Sequence, residues 1–231
     1  KITATSQYSA RSSARLTRPK SLPRGTAWMP SLRVHAELPA TGEVRSRAHV
    51  VDVIDKGADR GALVVTERSI EDVINGRTLA TLTQTLFCRG DGGFGGKQEA
   101  SREQHSPPTR EPDLTVELPT HPQLALIYRL CGDVNPLHSD PTIARRAGYD
   151  RPILHGLATF GIAGHALMKA LCAYDPSRFR SIAARFSSPV FPGESITTEI
   201  WREAAGLAVF RCSVRNRAQT VISGGHFSYA V

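Results

Sequence analysis

The sequence predicts an α+β fold in which antiparallel strands wrap one buried helix, and three observations lead there. Short apolar runs separated by turn residues begin near Ser31 and resume near Ser181, the pattern of antiparallel strands. Between these two series, residues 157–171 carry apolar side chains over most of a helical circumference, which implies burial on several sides. The chain has 231 residues and 40% hydrophobic content, enough for one large domain or two small ones around a core.

The opening of the chain stands apart. Lys1, Arg11, Arg15, Arg18, Lys20, Arg24 and Arg33 all precede the first acidic residue, Glu37, so they account for most of the formal charge of +8. Residues 1–30 are expected to form a basic, solvated and poorly ordered tail; a transit peptide or a nucleic-acid arm has the same composition. The remainder is nearly neutral, so no nucleic-acid partner is expected. The sequence begins at Lys1 without a methionine, so an incomplete native N-terminus is one reading among these, and targeting is left open.

Strands are expected at residues 32–38, 44–54, 63–70 and 79–87. Asn75-Gly76 lies between the last two and suits a type I′ hairpin turn, whose central residues take positive φ. Next comes Arg89-Gly-Asp-Gly-Gly-Phe-Gly-Gly96. A phosphate cradle would need a helix N-terminus directly after it, and residues 97–108 offer no apolar helical face, so a linker is the preferred reading. The organisation expected is a tail over 1–30, a β-rich front half over 31–96, a linker over 97–112 and a back half over 113–231.

The back half opens with a strand at 113–118 and a helix over 121–128. Asp140 can cap the next helix, Pro141 suits its first position and Gly148 its left-handed stop, which brackets residues 141–147. The long apolar helix follows from Gly156 or Leu157. Strands at 181–187, 195–202, 208–214 and 221–229 complete the chain, divided by Pro189, Pro192-Gly193 and Gly206.

No segment approaches the roughly 20 apolar residues a membrane-spanning helix needs. Cys88, Cys131, Cys172 and Cys212 lack the paired spacing of a zinc or redox site and read as reduced thiols, so a cytoplasmic protein without membrane insertion is expected. His121, His138, His155 and His165 also lack compact ligand spacing, and no metal is expected.

Chemistry concentrates in Tyr128-Arg-Leu-Cys-Gly-Asp-Val-Asn-Pro-Leu-His138. Asn135-Pro136 disfavours a continuous helix between Asp133 and His138, so the two side chains can converge across a tight turn that Asn135 holds in place. A carboxylate and an imidazole together can bind water and exchange its proton with a carbon acid near neutrality. The bland alternative is a turn-capping Asp133 and a core His138.

The whole string closely resembles the hydratase 2 motif of the MaoC-like dehydratase family: an aromatic residue, then a small residue before Gly-Asp-x-Asn-Pro-x-His, and a following Asp-Pro. Tyr128, Cys131, Gly132, Asp133, Asn135, Pro136, His138, Asp140 and Pro141 match it. The resemblance continues through Arg151-Pro-Ile-Leu-His-Gly156, Arg185-Phe186 and Pro189-Val-Phe-Pro-Gly193, and into the front half at Asp55-Lys-Gly57 and the glycine-rich run. It implies a hotdog fold, complete in the back half and partial in the front. The implied activity is (3R)-specific enoyl-CoA hydration in fatty-acid or related acyl-CoA metabolism. Asp133 and His138 would activate water for C3 of a trans-2-enoyl-CoA and deliver a proton to C2, with CoA part of the substrate and no separate cofactor.

The resemblance also assigns the Gly156 backbone amide to the thioester oxygen, and helix N-terminal amides are indeed unpaired donors. A close-packing role for Gly156 is compatible with that. His155 is read as structural. Arg145, Arg146 and Arg151 are either CoA-phosphate partners or ordinary exposed cations. In double-hotdog relatives the front half contributes its own central helix, whereas no apolar helical face occurs before residue 31 here. An incomplete front half would expose sheet surface that a homodimer or heteromer covers. A noncatalytic acyl-CoA-binding subunit and an acyl-CoA thioesterase are the alternatives.

Overall fold

The computed structural model describes residues 2–8, 29–88, 90–95 and 107–231, with only the backbone described for 2–8. The chain divides into two compact units, residues 1–103 and 104–231. Residues 9–28 of the expected tail and 97–106 of the expected linker lie outside the described residues.

The front unit contains strands β1 (Ile2–Tyr8), β2 (Met29–Val34), β3 (Gly42–Asp55), β4 (Ala62–Asp72) and β5 (Thr78–Cys88). Their order is β1-β3-β4-β5-β2; β1 runs parallel to β3 and the other pairs are antiparallel. Residues 2–8 thus form a strand where a tail is expected: β-branched Ile2, Thr3 and Thr5 favour extended backbone, and β3 provides a ladder to join. Among the described residues this unit has no helix, and Val50, Val51 and Val53 of β3 are exposed.

The β4–β5 connection is not the expected type I′ turn. Gly76 takes φ +68, but Asn75 is not in the positive-φ region. The Asp72 side chain instead organises a longer loop, accepting from the Ile74 amide at 2.8 Å and the Asn75 side chain at 2.9 Å, while the Gly76 amide donates to the Asp72 carbonyl.

The glycine-rich run is not a linker either. Asp55 Oδ1 accepts from the Gly57 and Gly93 amides, at 2.8 and 2.7 Å, and Oδ2 accepts from Gly95 at 2.7 Å. A Cβ at Gly92 would lie 2.1 Å from the Gly57 carbonyl oxygen, so the glycine is needed for the two backbones to meet. These amides cradle an anion, and it is the protein's own buried carboxylate.

The back unit holds β6 (Leu114–Pro119), α1 (Leu124–Tyr128), α2 (Pro141–Arg146), α3 (Gly156–Cys172), β7 (Phe179–Phe186), β8 (Ser195–Ala204), β9 (Leu207–Val214) and β10 (Gln219–Tyr229). The sheet order is β7-β10-β9-β8-β6, antiparallel throughout. The central helix α3 packs on β6, β7, β8 and β10. Ala163, Ala166 and Leu167 are fully buried with Ile196, Ile200 and Ile222 of the sheet. Each large aliphatic side chain so buried contributes about 1.5–3 kcal/mol relative to exposure.

Burial of α3 is less complete than its apolar breadth predicts: Leu157, Gly161, His165 and Lys169, one i, i+4 stripe, are exposed. The helix stops on two non-glycine residues in left-handed conformation, Ala173 (φ +51) and Tyr174 (φ +63), with the Tyr174 amide closing onto the Met168 carbonyl at 3.1 Å. The bracket around α2 matches its sequence signals. Asp140 Oδ1 accepts from the Thr142 and Ile143 amides at 2.7 and 3.3 Å, and Gly148 takes φ +91.

Candidate active site

Local rules build most of the 128–138 segment. Helix α1 runs into a 3-10 turn at Arg129–Cys131, and Gly132 (φ +107) reverses the chain in a conformation that side chains disfavour. Asn135 then opens a second 3-10 turn, Pro136–His138, with Pro136 at its first position and the Asn135 Oδ1 accepting from the Leu137 amide at 3.1 Å. Asp133 Oδ1 accepts from the Asn135 amide at 3.2 Å, and this residue is otherwise exposed. The short turn carries His138 back toward Asp133.

His138 is 9% exposed and its Nδ1 lies 2.8 Å from the Ile153 carbonyl oxygen. A carbonyl only accepts, so in the neutral ring Nδ1 carries the proton and Nε2 keeps its lone pair. The result is an imidazole prepared as a base. It lines a cleft with Pro122, Ala125, Leu126, Arg151 and Pro192. Arg151 therefore shares that cleft, whereas Arg145 and Arg146 are exposed on α2.

His155 precedes α3 and is 1% exposed. Its ring stacks on His138 with centroids 3.8 Å apart and planes 27° apart, and Tyr128 tilts against it at 4.8 Å. Its Nε2 donates to the Asp133 carbonyl at 3.2 Å, while its Nδ1 is buried without a hydrogen-bond partner. Burial first, and then the neighbouring His138, push the His155 pKa below its ordinary value, so the ring is held neutral. Burial, with Cys131 and Asp133 nearby, raises the Tyr128 phenol.

The ligand-type atoms of Asp133, His138 and His155 lie within 4.8 Å of one another. Stacked rings direct their in-plane lone pairs along nearly parallel planes, and one nitrogen of each ring already faces a carbonyl. That geometry suits proton transfer better than convergence of two imidazoles on one ion.

Gly156 begins α3 directly after His155, so its amide belongs to the first turn, which lacks intrahelical acceptors. A Cβ there would lie 3.0 Å from Phe186 Cε2 and 3.2 Å from Cζ, so the position is closely packed as well as rich in donor potential.

The structure thus brings Asp133, Asn135, His138 and the start of α3 into one place. What the sequence reading missed is the support around them: the Ile153 carbonyl, the His155 stack and the Phe186 ring. A carbonyl has no residue-type signature. His155 had the signal of a polar residue directly before a buried helix, but nothing in the linear string says which ring it meets.

An antiparallel sheet folded around one central helix makes the back unit a hotdog domain. Residues 103–223 match the model for the MaoC like domain. Over 203 residues the chain is 44% identical to 3-hydroxyacyl-thioester dehydratase Y of Mycobacterium tuberculosis, covering 86% of this chain and 70% of that protein. It is 36% identical to the peroxisomal enoyl-CoA hydratase 2 of Arabidopsis thaliana, covering 87% and 69% respectively. The crystal structure of a MaoC-like dehydratase from Phytophthora capsici superposes with a TM-score of 0.83 at 39% identity, over 91% of this chain and 73% of that one. The chain belongs to the MaoC-like domain family. No helix among its described residues is long and apolar enough to cross a membrane.

Proposed function

We propose that this chain is a hydro-lyase, a (3R)-specific enoyl-CoA hydratase that reversibly adds water to trans-2-enoyl-CoA to give (3R)-3-hydroxyacyl-CoA. The observation that carries it is the convergence of Asp133 and an Nδ1-anchored His138 beside the free amides that open α3. Water is held between the Asp133 carboxylate and His138 Nε2. As its oxygen bonds to C3, Nε2 takes the water proton, and the C2=C3 electron pair moves onto the thioester as an enolate. The Gly156 amide meets that enolate oxygen, and the enolate regains a proton at C2 from the dyad. Preorganised donors of this kind supply about 3 kcal/mol each to the transition state. CoA enters as part of the substrate, and no further cofactor is needed.

Crotonyl-CoA and longer enoyl-CoAs, followed by loss of the enoyl-thioester absorbance and by chiral analysis of the product, test the reading. Asp133→Asn and His138→Gln are expected to lower kcat by about 10²–10⁴-fold. Activity surviving in both would overturn the assignment, and release of free CoA in its place would make the protein a thioesterase. The four free cysteines support a reducing compartment such as the cytoplasm.

A second reading draws on the front unit, whose exposed Val50, Val51 and Val53 favour coverage by another chain. A homodimer is then expected from the purified chain alone. Turnover that appears only after a second, different subunit is added would make this a noncatalytic half of a heteromer.

A further inference from the structure

His155 is buried, polar and unused by the proposed mechanism. An apolar ring of similar volume would fill its space without leaving Nδ1 buried and unpartnered, so packing alone does not account for an imidazole. Three contacts make it specific. The ring stacks on His138 with centroids 3.8 Å apart, Nε2 donates to the backbone carbonyl of Asp133, and the next residue opens α3 at Gly156. One side chain therefore touches both members of the dyad and is covalently joined to the third functional group.

We infer that His155 is a positioning residue for hydration, acting through two separable contacts: its ring face supports His138, and its Nε2–H fixes the backbone that carries Asp133. The inference rests on the hydratase reading above. The titratable groups facing His155 are His138 from the 3-10 turn, Asp133 from the loop before it and Tyr128 from α1. With Nδ1 lacking an acceptor, a proton placed there would gain no hydrogen bond and would set a second positive charge against His138 whenever that residue is protonated. The ring stays neutral through the cycle. When His138 Nε2 takes the water proton, it becomes an imidazolium lying over a neutral aromatic face, an attractive cation–π arrangement. The hydrogen bond to the Asp133 carbonyl keeps the carboxylate in reach of the same water.

Two substitutions separate the contacts. His155→Phe keeps a ring face and loses the N–H; His155→Gln keeps a donor near the Nε2 position and loses the ring. Both are to be measured for kcat and KM with crotonyl-CoA, for the ring-proton NMR shifts of His138, and for thermal unfolding. Each is expected to fold cooperatively and to lose about tenfold to a hundredfold in kcat while KM moves by less than about twofold, since misplacement by a fraction of an ångström acts on the reacting geometry. In His155→Gln the His138 ring protons lose the ring-current shift of a stacked neighbour, and in His155→Phe they keep one. Full kcat in both variants overturns the inference, as does an unchanged His138 spectrum in His155→Gln. A loss of activity that only follows a loss of folded protein also overturns it, because it marks a purely structural residue. Wild-type protein with no hydration activity refutes the hydratase reading instead, and in that event the His138 shifts still decide whether the stack exists.

Discussion

Replacing Gly156 by alanine sets two effects against each other at the opening of α3. Alanine is favoured over glycine in a helix interior by about 0.8–1.0 kcal/mol, and by less at a first-turn position. The added Cβ would lie 3.0, 3.2 and 3.3 Å from three carbons of the Phe186 ring, against an optimum of about 3.5–4.0 Å between carbons. Overpacking of this size costs about 1–3 kcal/mol, so with the smaller first-turn gain set against it the net effect is a loss of at most about 3 kcal/mol. For a chain of this length that lowers Tm by no more than about 6–12 °C, and the protein remains folded at assay temperature. Relief of the overlap has to come from a shift of the Phe186 ring or of the α3 N-terminus by several tenths of an ångström. The second moves the amide assigned to the enolate oxygen, and the new methyl group crowds the same approach. Loss of one such donor lowers kcat by about 10²–10³-fold. Steady-state kinetics on crotonyl-CoA beside a thermal melt should therefore show a kcat loss of about a hundredfold with a small fall in Tm. Phe186→Leu in the same background gives the ring's space back and should recover much of both. Gly156→Ala with kcat within about threefold of wild type would refute the assignment of that amide.

Other expectations follow from single contacts. His155 is held below its ordinary pKa of 6.5 by burial and by His138, so the unfolded chain takes up this proton before the folded one does. The associated stability is complete above about pH 6.5 and is lost as pH falls toward the folded value. Tm should accordingly decline more steeply over that acid window in wild type than in His155→Gln, and equal slopes would count against a neutral buried imidazole. Asp55→Ala removes the acceptor of three backbone amides and should cost about 3–5 kcal/mol in urea unfolding of the front unit; a cost below about 1 kcal/mol would show that the glycine loop is held by other contacts. Asp140→Ala deletes the cap of α2 and should cost about 1 kcal/mol, read as a shift in the denaturation midpoint, with Asp140→Ser recovering most of it.

The residues whose structure was legible in the chain are those that act within a few positions of themselves. Asp140, Pro141 and Gly148 delimit α2 because capping, a preset φ and a left-handed stop are local interactions. The alternation of apolar residues marks the strands for the same reason, since side chains alternate along any extended backbone. Asn135-Pro136 favours a turn through its own side chain and ring, and Asp133 and His138 flank it. Where local signals competed, the tertiary contact won: Asp72 captured the loop that Asn75-Gly76 suggested, and Asp55 drew the glycine run into the front unit across 38 residues of sequence.

The chemical state of the site was decided at longer range. Nothing near His138 in sequence says which of its nitrogens carries the proton; the carbonyl of Ile153, 15 residues on, does. The partner of His155 is set by the angle at which α3 leaves its loop, and the room around Gly156 by a ring at the end of β7. The sequence by itself determined the strands from β2 onward, the caps and the residue types able to move a proton. Only the folded back unit determined their orientation and protonation, because hydrogen bonds and ring contacts between distant segments exist only once the sheet has closed around its helix.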